Sequence, residues 1–120
     1  MGVSNYRELE AWQVAMELTV QVYRVTGGFP ESERFGLTNQ PRRAAVSIPS
    51  NIAEGQGRRL RKQFCFFLRI AKGSTQEVET QLLLAQRSGM GDTGQIDAVL
   101  QTCLSAARLI AGLIRSIEPN

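Results

Sequence analysis

Apolar residues recur at three- and four-residue steps along almost the whole chain, and no segment alternates as a β-strand would. A capping box, in which side chain and backbone satisfy each other's hydrogen bonds, can form between Asn5 and Glu8 and predicts the start of a first helix. The pair Gly27-Gly28 predicts the end of that helix. The stripe between these signals contains Leu9, Trp12, Met16, Thr19 and Tyr23.

A second helix is predicted to end at Gly57, although Pro41 and Pro49 lie within its pattern. Pro41 is tolerated if it occupies the first turn, because its missing N–H would have no helical partner there. Pro49 removes a donor from the helix interior and crowds the carbonyl four residues earlier, at a cost of about 3 kcal/mol. We therefore expect a kink, with Ser47 or Ser50 donating to the freed carbonyl.

The third helix is predicted over residues 60–88, and the fourth from a cap at Asp92 to Ile117. Gly73 and Ser74 lower the helix propensity in the middle of the third helix, which indicates that another backbone approaches there. Four helices joined by short connections predict an all-α fold, an antiparallel up-down four-helix bundle.

The length of 120 residues allows one hydrophobic core, so residues 1–120 are expected to form a single domain. The first, third and fourth helices carry more apolar positions than the interior of a lone bundle needs. Either the core is thick, or a second stripe faces another subunit across an interface that resembles a core cut in half. We favour a homo-oligomer.

Basic residues are concentrated between positions 42 and 72, where eight of them accompany a single acid, Glu54. The rest of the chain has six basic and ten acidic residues, so the net charge of +3 hides a separation of charge. A solvated helix start is the alternative for the run from Arg58 to Lys62, but basic residues in a first helical turn oppose the helix dipole. The candidate nucleic-acid-binding residues are Arg42, Arg43, Arg58, Arg59, Arg61, Lys62, Arg69 and Lys72.

The chain lacks the side chains on which most enzymes depend. It has no histidine, which excludes histidine-based acid–base catalysis and imidazole metal ligands. Cys65 and Cys103 lie in apolar helical patterns and are interpreted as buried free thiols rather than a disulfide. Glu54 precedes Arg58 by four residues, a spacing that favours an ion pair over a catalytic carboxylate. We expect no enzymatic activity, no cofactor and no metal.

No uninterrupted apolar run approaches the roughly 18 residues that cross a membrane, and the N-terminal residues lack the architecture of a signal peptide. We therefore expect a cytoplasmic protein without a membrane partner.

The stretch from Leu37 to Gly55, followed by Arg58, by residues 71–74 and by residues 77–82, resembles the bacterial 23S rRNA intervening-sequence family of four-helix bundle proteins. The opening, Tyr6 to Trp12, resembles the same family, whose relatives include the accessory variability protein of diversity-generating retroelements. The resemblance implies an antiparallel four-helix subunit that assembles into a ring-shaped homopentamer, with a basic surface proposed to bind nucleic acid.

The function expected from charge and resemblance together is non-enzymatic binding of RNA or DNA. We expect little sequence specificity, because the chain has no groove-reading motif and few exposed aromatic residues are expected to stack on bases. The alternative is a protein-interaction adaptor, such as an accessory subunit for a reverse transcriptase or another nucleic-acid enzyme. A bundle with a purely structural role is a third alternative.

Overall fold

The computed structural model describes residues 5–118, which form four α-helices, two single-turn 3₁₀ helices and no β-strand. The α-helices are α1 (Glu10–Thr26), α2 (Asn39–Gly57), α3 (Arg61–Arg87) and α4 (Thr93–Ile117). Both α1 and α3 pack against α2 and α4, so that α1 and α3 occupy opposite corners of a square. The bundle measures 45 × 23 × 22 Å. The prediction of an all-α, four-helix fold is confirmed.

Contacts between successive helices fix their directions. Arg42, near the start of α2, bonds Thr26 at the end of α1. Gly55, near the end of α2, contacts Phe64 near the start of α3, whereas Ser47, earlier in α2, bonds Ser74 further along α3. Gln86, at the end of α3, bonds Asp97 near the start of α4. Each helix therefore runs antiparallel to the one before it, in the up-down order.

The chain enters the bundle through a 3₁₀ turn, Tyr6–Glu8. The capping box between Asn5 and Glu8 is present, but it caps this turn. Leu9 then adopts an extended conformation (φ −74°, ψ 126°), and α1 begins at Glu10. Because the extended backbone lets Leu9 pack against the core, the first helix begins later than the capping signal predicted.

The two prolines of α2 are accommodated in different ways. Pro41 lies in the first turn, as predicted. The helix continues through Pro49 as a single α-helix. The carbonyl that Pro49 leaves without a helical donor belongs to Ala45. It lies 3.1 Å from Thr19 Oγ1 of α1, whose single hydroxyl proton is shared with Ala15 O of α1 at 2.8 Å. The neighbouring helix therefore supplies the donor that the proline cannot.

The serines predicted to serve that carbonyl bond elsewhere. Ser50 Oγ donates to Val46 O at 2.8 Å, and Ser47 Oγ hydrogen-bonds Ser74 Oγ of α3 at 2.9 Å. Their assignment to the freed carbonyl was wrong, because Thr19 occupies it. Ser74 is buried at this contact, whereas a Cβ added at Gly73 would meet nothing within 4 Å.

The backbones of α2 and α3 make close contact at Gly55. A Cβ built there would lie 2.8 Å from Phe67 Cβ and 3.0 Å from Phe64 Cδ1. These distances are shorter than ordinary carbon contacts, so only glycine fits without a shift of the helices. The close approach therefore lies at Gly55 of α2 as well as beside Ser74 of α3.

A Schellman motif ends α3. Gly89 N donates to Gln86 O at 3.1 Å, and Met90 N donates to Ala85 O at 2.9 Å. Gly89 has φ +76°, a conformation that glycine adopts without a Cβ clash. The Asp92 side chain then caps α4, as predicted.

Each helix contributes one stripe to the core. Its large, fully buried side chains include Leu18, Val22, Ile48, Ile52, Phe64, Leu68, Leu82, Ile96 and Ile110. Within residues 5–118, α4 is the one helix long and apolar enough to cross a membrane by length and composition. A helix that contributes a buried stripe to a bundle meets the same criterion, and Ile96, Val99 and Ile110 form such a stripe on α4.

Candidate nucleic-acid interface

The eight basic residues predicted to bind nucleic acid do not form one continuous face. Arg42 and Arg43 lie near the start of α2, whereas the run that begins with Arg58 follows its end. Arg58 follows Arg43 by fifteen positions, which is about 22 Å along a helix axis. The other six lie in the half of the bundle that contains the α2–α3 turn: Arg58, Arg59, Arg61, Lys62, Arg69 and Lys72.

Arg42 stabilises the end of α1. Its Nε donates to Thr26 Oγ1 at 2.8 Å, and its Nη2 donates to Tyr23 O at 3.2 Å. The guanidinium also lies over the Tyr23 ring, 4.7 Å from the centroid. A cation is favourable at the C-terminal end of a helix because the negative pole of the helix dipole attracts it. Arg43 is exposed and lines a groove between α2 and α3 that also contains Glu77.

Arg58 pairs with Glu54, as their spacing predicted. Arg58 Nε lies 2.8 Å from Glu54 Oε2, and the two side chains are 49% and 50% exposed. Such a pair contributes only about 0.3–0.5 kcal/mol to stability. The guanidinium also lies 5.2 Å from the centroid of the Phe67 ring. Arg58 is therefore held in place with about half of its side chain open to solvent.

Two arginines tie the start of α3 to the end of α4. Arg61 Nε donates to Ile117 O, in the last turn of α4, at 3.2 Å. Arg69 forms an ion pair with Glu118. Lys62, between them in sequence, is exposed, and its ammonium group forms no ion pair within the part of the chain that the structure describes.

Arg59 adopts a backbone conformation that favours glycine. Its φ of +65° is the one positive value at a non-glycine residue between positions 5 and 118. Arg59 is the second residue after the end of α2, just as Gly89 is the second residue after the end of α3. The left-handed conformation costs a residue with a Cβ about 1–2 kcal/mol. Strain of this kind concentrates at functional positions, which makes the Arg59 side chain a candidate for a functional role.

The structure adds three arginines that the sequence did not group with the others. One of them, Arg7, is exposed in the 3₁₀ turn Tyr6–Glu8. Arg108 and Arg115 are exposed on α4, in the same half of the bundle as the α2–α3 turn. This half, which we call the basic half, comprises residues 5–17, 49–73 and 106–118. It contains nine basic and five acidic side chains, against five basic and six acidic in the other half of the described chain. The three arginines were missed because more than 30 residues separate them from the basic run.

Aromatic side chains are more exposed than the sequence predicted. Tyr23, Phe35 and Phe66 are 45%, 79% and 60% exposed. Phe66 alone of these three lies in the basic half. Phe66 is one of the surplus apolar positions that the sequence shows on the third helix. Its position, roughly 200° around the helix from the buried Phe64, was the signal that it faces away from the core.

A cavity of about 380 Å³ lies at the end of the basic half, between the α2–α3 turn and the end of α4. Arg59, Leu60 and Arg61 line it together with Phe64 and Ile117. Guanidinium groups beside an apolar wall suit contact with an anion.

The thiols and carboxylates of the described residues form no metal-binding cluster. No group of three Cys, Asp or Glu side chains between positions 5 and 118 is placed to hold a metal ion. Cys65 and Cys103 are buried and unbridged, as predicted. Burial raises the pKa of the Cys103 thiol to about 11, and the Glu79 carboxylate also raises this pKa. The Cys103 thiol is therefore protonated at neutral pH.

These features define the class as a small up-down four-helix bundle with basic side chains concentrated in one half. The family described as 23S rRNA-intervening sequence protein matches residues 7–112, and the chain belongs to this family. The sequence resemblance to that family is thus confirmed, and the relation to the retroelement accessory protein stays a prediction.

The fold is also found in a solved structure. This chain is similar in fold to a protein of unknown function from the S23 ribosomal protein family of Bacteroides thetaiotaomicron, with a TM-score of 0.80. The two chains are 22% identical, over 88% of this chain and 95% of that chain, so the likeness shows the fold alone. No curated protein matches the sequence.

Proposed function

We propose that this protein binds nucleic acid through its basic half, as a homo-oligomer and without catalysing a reaction. The observation that carries the proposal is the uneven charge of the bundle, with nine basic and five acidic side chains in one half. Lys62, Lys72, Arg108 and Arg115 are exposed there on two neighbouring helices. Phosphates bound by such a surface release counterions, which favours association at low salt.

The salt dependence of affinity tests this proposal. Each phosphate contact should contribute about −0.9 to the slope of log affinity against log salt, so two contacts in each of five subunits would give a slope of about −9. The double variant Lys62→Gln/Lys72→Gln should bind more weakly and with a shallower slope. The matched double variant Arg24→Gln/Arg87→Gln removes the same charge outside the basic half and should bind as the parent does. A flat salt response, or equal losses in both variants, refutes the proposal.

Exposed apolar side chains on opposite corners of the bundle support a ring-shaped oligomer. Met16 and Val20 are exposed on α1, and Ile70 and Leu84 are exposed on α3. The α3 surface is open at Gly73 between them, where a neighbouring helix can approach. Two different surfaces on opposite sides favour a head-to-tail contact, which closes into a ring when the rotation allows it. The ring expected from the family resemblance has five subunits.

Light scattering coupled to size exclusion tests the ring after nuclease treatment. Val20→Glu places a charge in the α1 surface and should yield monomers, whereas Gln101→Glu places one on exposed α4 and should leave the assembly intact. A monomeric parent contradicts the ring.

The adaptor alternative makes a different prediction: free nucleic acid binds weakly, and charge reversal at Arg58 and Arg59 removes a copurifying protein.

A further inference from the structure

Phe66 is an exposed aromatic ring with positive charge on both sides. It is 60% exposed on the outside of α3. Lys62 lies one turn before it and Arg69 one turn after it, at spacings that bring helix side chains within about 6 Å of each other. Both flanking side chains are also exposed. Arg69 pairs with Glu118 through Nη2, and 55% of its side chain stays open to solvent. Single-strand binding proteins combine these elements, since the aromatic ring stacks on a base while the cations contact the backbone.

The Phe66 ring is supported from behind by a packed set of side chains. It contacts Phe67 edge-on, with centroids 5.2 Å apart and planes at 87°. Arg58 lies over the Phe67 ring and is held by Glu54 at 2.8 Å. The backbone at Gly55 contacts Phe67 Cβ from α2. A support that is already ordered reduces the entropy lost when a ligand binds.

We infer that the basic half takes single-stranded nucleic acid, with an unpaired base stacked on Phe66 and neighbouring phosphates at Lys62 and Arg69. This inference rests on the proposed function and adds the class of nucleic acid to it. A duplex offers phosphates to the same cations, but its base faces are stacked on one another and do not reach the ring. Phe66 therefore strengthens binding of a single strand and not of a duplex.

Phe66 lies one turn before Ile70 on the exposed face of α3 that the proposed head-to-tail contact uses, so the inference requires that this contact leaves the Phe66 ring open to solvent. The charge around Phe66 also disfavours the alternative that this ring packs against the same surface of a second copy. In that arrangement Lys62 and Arg69 of each copy would face like charges across the contact, which is costly in an interface. The polyanionic backbone of a nucleic acid complements the same charges.

Fluorescence anisotropy at fixed salt tests the inference with two probes, labelled oligo(dT) and its duplex with oligo(dA). Phe66→Leu keeps an apolar, helix-forming side chain and removes the ring. Phe35→Leu is the matched control, because Phe35 is 79% exposed with Arg34 over its ring at 4.7 Å but lies outside the basic half. Phe66→Leu should weaken oligo(dT) binding about tenfold or more and duplex binding about twofold at most. Phe66→Tyr should retain both affinities, and Phe35→Leu should change neither.

The outcomes separate this inference from the proposed function. Equal losses for both probes in Phe66→Leu, or no loss for either, overturn the inference while the salt-dependent binding stands. A change in subunit number in Phe66→Leu shows that the ring packs between copies, and it also overturns the inference. If the parent binds neither probe at low salt, the proposed function fails together with the inference.

Discussion

Replacement of Gly55 by alanine should destabilise the bundle by forcing α2 away from α3. The added Cβ would lie 2.8 Å from Phe67 Cβ, 3.0 Å from Phe64 Cδ1 and 3.3 Å from Phe64 O. Carbon atoms normally approach to about 3.5–4.0 Å, so the helices must separate by roughly 0.5–1 Å. A Cβ and a backbone oxygen cannot rotate away as the end of a long side chain can, so the shift must involve the backbone.

Two opposing contributions determine the size of this effect. Overpacking of a well-packed contact costs about 1–3 kcal/mol. Alanine is about 1 kcal/mol more favourable than glycine inside a helix, which offsets part of that cost. Gly57→Ala isolates the favourable contribution, because a Cβ at Gly57 would meet nothing within 4 Å. Because Gly57 is the last residue of α2, where alanine gains less than in the interior, the difference in unfolding free energy between the two variants sets a lower limit on the overpacking cost.

Urea unfolding, followed by far-ultraviolet circular dichroism, measures this difference. Both variants must be compared at one protein concentration, since the stability of an oligomer depends on concentration. Gly55→Ala should unfold at lower urea than Gly57→Ala with the same slope, and the free energies should differ by about 1–3 kcal/mol. If Gly55→Ala is as stable as Gly57→Ala, the close contact between α2 and α3 does not constrain the fold and the reasoning is refuted.

Three further predictions concern individual hydrogen bonds, backbone strain and pH. Thr19→Val removes the donor that serves the Ala45 carbonyl and should cost about 1–2 kcal/mol in urea unfolding, whereas Thr80→Val, at an exposed intrahelical bond, should cost less than about 0.5 kcal/mol. Arg59→Gly should be more stable than Arg59→Ala by about 1 kcal/mol, because only glycine avoids the strain at φ +65°; equal stabilities would contradict that strain. Burial raises the pKa of the Cys103 thiol from 9.0 to about 11, so the unfolded chain loses this proton first and the free energy of unfolding should fall as the pH rises from 9 to 11. Cys103→Ser should show a smaller fall over the same range, and an identical fall would exclude this thiol as the cause.

The helical core could be predicted from the sequence because it depends on periodicity. The third helix was predicted over residues 60–88 and is found at Arg61–Arg87. The start of the first helix was misplaced because a capping box serves a single 3₁₀ turn as well as an α-helix. The partner of the Ala45 carbonyl was missed for another reason. Thr19 is 26 residues away in sequence, and only the packing of α1 on α2 brings the two groups together.

The candidate site was only partly predictable, because a run of basic residues does not reveal which charges the fold already uses. Arg42 and Arg61 bond carbonyls in the last turns of other helices, and these contacts exist only after the bundle forms. Arg108 and Arg115 reach the basic half for the same reason, since α4 returns to the start of α3. The exposure of Phe66 and its position between Lys62 and Arg69 followed from helical spacing, but the packing of Arg58 over Phe67 required the turn after α2.

The arrangement of the exposed basic side chains links the proposed binding to folding. Arg59 belongs to the α2–α3 turn, Lys62 and Lys72 to α3, and Arg108 and Arg115 to α4. These elements are adjacent only in the assembled bundle, so the unfolded chain offers a polyanion no comparable concentration of charge. A ligand that contacts all three elements binds the folded state in preference to the unfolded state and raises its stability by mass action. The mutual repulsion of these cations opposes compaction until the ligand neutralises it. The repulsion among the cations of the basic half is therefore smallest when a polyanion is bound. This is the physical reason for proposing that polyanions bind there.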